Sequence, residues 1–156
     1  MHHEPAQLTD GHKILAKLAG NWTGDEKMFP SPWDEKGGTA TAKLTSKVVL
    51  DGFGVTTDYE QSRGGQVTYR GHGVYAYDPR EKTYHMTWFD TMSGGIGGTS
   101  KGTFDGKTLA FGNQHAMGHS RYSYTFQGDG KVLFKIEASQ DGKAWKPFLE
   151  GTYTKA

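Results

Sequence analysis

The sequence predicts an all-β fold, a ten-stranded up-and-down antiparallel β-barrel with one short N-terminal helix. Three observations predict it. Ten short stretches of alternating apolar and polar residues run from Gly20 to Thr154, the period of a half-buried strand. Glycine-rich turns separate them, and the chain holds 23 glycines. The alternation also produces one strongly apolar face with a single short helix to cover it, so the sheet must curl on itself, which buries the face and removes both edges.

Residues 7–19 form the one helix candidate. Thr9 or Asp10 can cap it, Ile14, Leu15 and Leu18 make its apolar stripe, and Gly20 ends it. Residues 1–19 are expected to be a tail and helix packed on the barrel, and residues 20–156 the barrel itself. Residues 29–38 hold Pro30, Pro32, Gly37 and Gly38 and read as an irregular loop carrying Trp33. Asp51-Gly52 and Asp105-Gly106 read as two-residue hairpin turns. Arg63-Gly64-Gly65 fits a three-residue loop, and Asp78-Pro79-Arg80-Glu81 a type I turn. Gly128-Asp129-Gly130 and Asp141-Gly142 close the series, while residues 93–98 and 113–118 read as longer glycine-rich loops.

Turn lengths decide which side chains share a face. The inner face is expected to collect Leu44, Val48, Leu50, Phe53, Val55, Thr57 and Tyr59, then Tyr69, Gly71, Gly73 and Tyr75. Tyr84, Met86, Trp88, Asp90, Phe104, Leu109 and Phe111 follow, with Tyr122, Tyr124, Phe126, Val132, Phe134, Ile136, Trp145, Leu149 and Tyr153. The outer face takes Lys43, Lys47, Asp58, Glu60, Arg70, His72, His85, Arg121, Lys135, Glu137, Lys146 and Glu150. Eight strands already leave room for one small ligand, and ten leave more unless rings fill it.

Composition excludes several classes. The formal net charge is +1, from 18 basic and 17 acidic residues, without a long basic run, so neither nucleic acid nor an anionic membrane is an expected partner. The chain has no cysteine, which removes disulfides, zinc–thiolate sites and cysteine nucleophiles. No apolar run follows the start Met1-His2-His3-Glu4-Pro5, which argues against a secretory signal and predicts a cytoplasmic location. His115 and His119 have helical spacing, but in an extended chain they lie about 13 Å apart at roughly 3.3 Å per residue, too far to share an ion. No metal site and no cofactor are expected.

The interior is rich in phenols. Tyr59, Tyr69, Tyr75, Tyr84, Tyr122, Tyr124 and Tyr153 all point inward on this register, and each buried hydroxyl needs a partner. Asp90 is the one carboxylate assigned to the inner face, two residues from Trp88. His72 lies between Gly71 and Gly73. Those glycines read either as space for Met86 or Trp88 across the strand pair, or as a bulge turning His72 inward beside Arg70 or Thr57.

Leu18-Ala19-Gly20-Asn21-Trp22-Thr23-Gly24 resembles the Leu-x-Gly-x-Trp-x-Gly entry strand of lipocalin-like (calycin-type) barrels. Over nearly its whole length the chain is similar to a bacterial family of uncharacterised lipocalin-like proteins. The shared features read here as Met28-Phe29-Pro30-Ser31-Pro32-Trp33, Asp51-Gly52-Phe53, Asp58-Tyr59-Glu60-Gln61, Arg70-Gly71-His72-Gly73-Val74 and Trp88-Phe89-Asp90. This resemblance implies the fold and supplies no activity. A more distant resemblance is to nitrobindins, ten-stranded barrels that hold haem. Gly20, Trp22 and Gly24 match their opening pattern, Glu26 and Met28 depart from it, and residues 145–156 lack the histidine that those proteins use as axial ligand.

The expected function is therefore binding of a small, largely apolar or aromatic molecule inside the barrel. Tyr59, Tyr69, Tyr75, Met86, Trp88, Tyr122 and Tyr124 would form its walls, Asp90 would orient polar atoms, and Trp33 would act as a lid. The alternative is a cofactor-independent isomerase or cyclase in which His72 shuttles a proton with Asp90 or Asp58 as partner. Haem binding is a third reading, disfavoured for want of the histidine. A barrel plugged by its own aromatics and acting as a homodimer module is the remaining alternative.

Overall fold

The computed structural model describes residues 6–32, 34–128 and 130–156. A helix, α1 (Asp10–Ala16), is followed by ten strands: β1 (Gly20–Met28), β2 (Gly38–Val49), β3 (Gly54–Arg63), β4 (Gln66–Asp78), β5 (Thr83–Asp90), β6 (Gly98–Phe104), β7 (Thr108–His115), β8 (Gly118–Phe126), β9 (Lys131–Ser139) and β10 (Lys146–Lys155). Each strand pairs with its sequence neighbours, and β1 also pairs with β10, so the antiparallel sheet closes into the expected ten-stranded barrel. Apolar rings face inward and charged side chains outward, the reverse of a membrane-spanning barrel. Among the described residues no helix is long and apolar enough to cross a membrane.

The helix is shorter than its sequence pattern. Thr9 caps it, its backbone N–H donating to Nδ1 of His12 at 3.0 Å with the Thr9 hydroxyl at 3.0 Å from the same nitrogen. This reciprocal contact is a capping box with histidine in the place usually held by Glu or Gln. Lys17 ends the helix, and successive turns carry the chain to Gly20. His12 and Leu15 are buried. His12 packs edge-on against Phe53 and Tyr77, and the Tyr84 hydroxyl donates to the Gly11 carbonyl at 3.1 Å. The helix thus stoppers one end of the barrel, between the start of β3 and the end of β4.

Several turns differ from the sequence reading. The Asp51-Gly52 connection is a four-residue loop, because Val49 pairs with Gly54 and residues 50–53 intervene. Leu50 and Asp51 adopt left-handed angles there (φ 53° and 55°). That loop leaves Leu50 75% exposed and Val48 44% exposed, where the sequence pattern placed both inside. The β3–β4 turn has two residues, Gly64 and Gly65, and a bulge beside Gln61 and Ser62 restores the parity. Tyr59 therefore faces Gly71 and Gln61 faces Tyr69, yet Tyr59 and Tyr69 remain on the inner face with ring centroids 5.7 Å apart. Residues 113–118 are not a long loop: pairing continues to His115 and Gly118. Trp145, expected inside, lies on the outer wall, where Arg121 stacks on its ring at 4.1 Å and His119 meets its edge. Asp78, Asp105 and Asp141 each accept backbone N–H bonds from residues two and three ahead, the turn that an aspartate side chain stabilises.

Gly71 and Gly73 make space for Trp88. A Cβ on Gly73 would meet the indole at 2.9 Å, and one on Gly71 would collide with Cζ2 of its benzo ring. The β4–β5 ladder runs without a break from Gly71–Asp90 to Asp78–Thr83, so no bulge rotates His72. Gly71→Ala is expected to destabilise the fold by about 1–3 kcal/mol through overpacking. Combined with Trp88→Ala, the same change should cost much less than it does alone, because the colliding ring is gone. Thermal unfolding of the two single variants and the double variant reads this coupling.

Candidate functional site

Viewed along its axis, the interior is closed at the helix end and aromatic throughout. Next to the helix, Leu15 (1% exposed) packs among the core, and the Trp22 indole N–H donates to the Leu18 carbonyl at 2.9 Å. In the middle, the Tyr75 and Tyr124 hydroxyls pair at 2.7 Å, with Phe111 against both rings. Phe134 lies between Tyr124 and Tyr153, 4.8 and 6.0 Å centroid to centroid. The middle of the barrel is thus filled with its own rings. Two outer depressions of about 660 and 600 Å³ lie over β10, β1 and β2, lined mainly by outward threonines and charged residues such as Thr41, Thr152 and Asp25.

The sequence reading missed a buried carboxylate. Glu26 is 2% exposed on β1. It accepts the Tyr59 hydroxyl at 2.7 and 2.6 Å on its two oxygens, the Gln61 amide N–H at 2.9 Å, and the Tyr153 hydroxyl. Every partner is a donor, the set that a carboxylate requires. The signal was available: strict alternation from Trp22 through Gly24 puts Glu26 on the inner face.

At the end opposite the helix lies a second polar group. Asp90 closes β5, and its Oδ2 accepts the Tyr69 hydroxyl at 2.8 Å. The Trp88 indole N–H donates to that same Tyr69 oxygen at 2.7 Å. Oδ1 of Asp90 takes the Ser93 backbone N–H and hydroxyl at 2.8 and 2.7 Å. Partial burial opposes ionisation of Asp90, but the bonds from Ser93, Tyr69 and Trp88 outweigh it and hold the carboxyl below its ordinary value. The Tyr59 ring touches both Tyr69 and Trp88, centroids 5.7 and 6.0 Å away. The two carboxylates therefore flank one aromatic cluster. Tyr122 and Ile136, paired across β8 and β9, add partly buried apolar surface. Asn113 donates to Ser100 at 2.8 Å, while its buried Oδ1 has no hydrogen-bond partner. Three highly exposed apolar residues, Met92, Ile96 and Met117 (86%, 78% and 67% exposed), stand on two loops at this same end.

Of the residues singled out from sequence, Tyr59, Tyr69, Trp88 and Asp90 come together in this cluster, and Tyr122 belongs to the partly buried set beside the core. Tyr75, Tyr124 and Met86 lie deeper, fully within the packed core. His72 does not reach the interior. It points outward and bonds Asp58 through Nδ1 at 2.7 Å, with both side chains open to water. An inward His72 acting with Asp90 is thereby corrected: the two side chains lie on opposite faces of the wall, since alternation puts His72 outside where its neighbour Gly71 pairs with Asp90. Trp33 lies outside the described residues. His115 bonds the Ser120 hydroxyl at 2.8 Å. The inward residues Tyr122, Tyr124, Phe134, Ile136, Leu149 and Tyr153 of the last three strands offer no histidine to an iron, so these residues do not fit haem.

The chain belongs to a protein family described as Protein of unknown function (DUF1579), matched over residues 7–155. No curated protein matches it. Among solved structures it is similar to Rv2717c from M. tuberculosis, with a TM-score of 0.71 at 12% identity, covering 96% of this chain and 99% of that one. It is also similar to the S-type phycobiliprotein lyase CPES from Guillardia theta, with a TM-score of 0.65 at 12% identity, covering 92% and 91%. These likenesses establish the shared barrel fold.

Burial raises the pKa of the interior phenols. Tyr75 and Tyr84 are pushed up from 10.0 to about 12, in both cases first by burial. Tyr59, Tyr69, Tyr124 and Tyr153 are also raised, first by burial, and in Tyr59 and Tyr153 next by the charge of Glu26. The folded phenols keep protons that unfolded ones release near 10.0. The folded state then binds more protons, so stability holds below about pH 10 and falls as pH rises through about 12. Phenolate absorbance during a pH titration should show these tyrosines ionising only together with loss of the near-ultraviolet circular dichroism. Glu26→Ala, which strands three buried donors, is expected to destabilise by about 3–5 kcal/mol, measured by denaturant unfolding.

Proposed function

We propose that the protein binds a small, largely apolar or aromatic molecule in the cup at the loop end of its barrel. One observation carries the reading. The rings at the centre are buried, and of the partly buried rings at the helix end Tyr77 packs against His12 and Phe126 lies under Lys17, whereas Tyr69, Trp88 and Tyr122 are partly buried on the inner face at the opposite end, away from the helix. Planar apolar surface with few fixed polar groups is the usual lining of a small-molecule site. The rings that fill the middle make this a shallow cup with an aromatic floor, and Asp90 supplies its polar point. The lyase among the similar folds supports ligand binding as a use of this architecture, on fold likeness alone.

Titration with the uncharged fluorophore N-phenyl-1-naphthylamine should give saturable, one-to-one binding. Tyr122→Ala should weaken it about ten-fold, as expected for loss of an aromatic anchor. Phe89→Ala, on the outer wall, should leave it unchanged. Absence of saturation, or equal damage by the two variants, overturns the reading.

A further inference from the structure

The hydrogen-bond donors beside Asp90 are directed at its carboxylate. Trp88 spends its only N–H on Tyr69, and Tyr69 spends its O–H on Asp90. The donor chain thus runs toward the carboxylate and leaves π faces and oxygen lone pairs for anything that enters. Behind the cluster, Glu26 adds a second carboxylate, solvated by neutral donors alone.

No cation balances this interior. Among the described residues no lysine or arginine is buried. The arginines toward this end are engaged elsewhere: Arg63 with Asp34 at 3.2 Å, Arg70 with Glu60 at 2.6 Å, and Arg121 with Glu137 at 3.1 Å. His72 is held by Asp58 on the outside, and His115 by the Ser120 hydroxyl. Carboxylates beside aromatic faces, without a protein cation, make a site suited to a positive charge, which gains from the ring quadrupoles and from the carboxylate together.

We propose that the cup selects organic cations: an aromatic or alicyclic body carrying a protonated amine, its body on Trp88, Tyr69 and Tyr122 and its ammonium toward Asp90. The proposal rests on the cup reading above and adds the charge of the guest. An ammonium donates to the remaining lone pairs of Asp90, whereas an anionic guest meets two like charges.

Three naphthalene probes of matched size test it: 2-naphthylmethylamine, 2-naphthylmethanol and 2-naphthoate, titrated by calorimetry at neutral pH. The wild-type protein should bind the ammonium about ten-fold more tightly than the alcohol, and 2-naphthoate more weakly than either. Asp90→Asn should bring the ammonium close to the alcohol while leaving the alcohol's affinity in place. The wild-type comparison stands even where the variant fails to fold. Equal binding of all three probes, or tighter binding of the naphthoate, overturns the charge selection and leaves the cup. No binding of any probe overturns the cup reading with it.

Discussion

The buried carboxylate of Glu26 ties the barrel shut. Strand β1 is the closing stave, hydrogen-bonded to β2 on one side and to β10 on the other. From near the C-terminal end of that stave Glu26 accepts Tyr153 of β10, 127 residues away in sequence, and Tyr59 and Gln61 of β3, 33 and 35 residues away. Ladder bonds join only neighbouring strands, but this carboxylate reaches past a neighbour to β3. Gly24, one inward position before it, allows the close approach, because a Cβ there would run into the Thr152 carbonyl and the Tyr153 ring. Closure brings together side chains from both ends of the chain, so loop-closure entropy opposes it. A multiply bonded buried acceptor is a directional means of fixing one register against the alternatives.

Glycine and aromatic residues complement each other elsewhere in the same way. The inner face of β4 gives up side chains at Gly71 and Gly73, and the Trp88 indole of β5 occupies the space. Gly102 similarly lies under the Phe111 ring. A barrel of ten strands has more interior than aliphatic side chains fill readily, and large flat rings laid over glycines close that volume. The placement also fixes polarity. Trp88, laid flat across β4, presents its N–H to Tyr69 and so feeds the chain of donors that ends on Asp90.

Strand number, closure and the inward tyrosines were legible because period-two alternation and turn punctuation survive in sequence. Register was legible only to parity: the β3–β4 turn came out one residue shorter, and a bulge at Gln61 restored the face. Leu50 and Trp145 were misplaced for a common reason. Both lie beside turns, where alternation ends and loop geometry decides, and the stacking of Arg121 on Trp145 joins residues 24 positions apart. Glu26 was overlooked because a charged residue at an inward position reads as an exception until Tyr59, Gln61 and Tyr153 are seen converging on it. For Gly71 and Gly73, packing beneath an indole and a bulge at His72 were indistinguishable without the β4–β5 pairing.

A carboxylate is a demanding means of holding strands together. Desolvation opposes burying it, and well-packed apolar groups of similar volume often serve stability as well or better. Glu26 is surrounded by neutral donors, with no buried lysine or arginine among the described residues, so its hydrogen bonds are satisfied while no such cation cancels its field. In a low-dielectric interior that field extends across the Tyr59 ring to Tyr69 and Trp88, which form the floor of the proposed cup. Asp90 acts from the rim with the same sign. On this view the feature that closes the barrel also sets the electrostatic character of its open end, and a guest of positive charge would complete an arrangement that the protein's own side chains leave unbalanced.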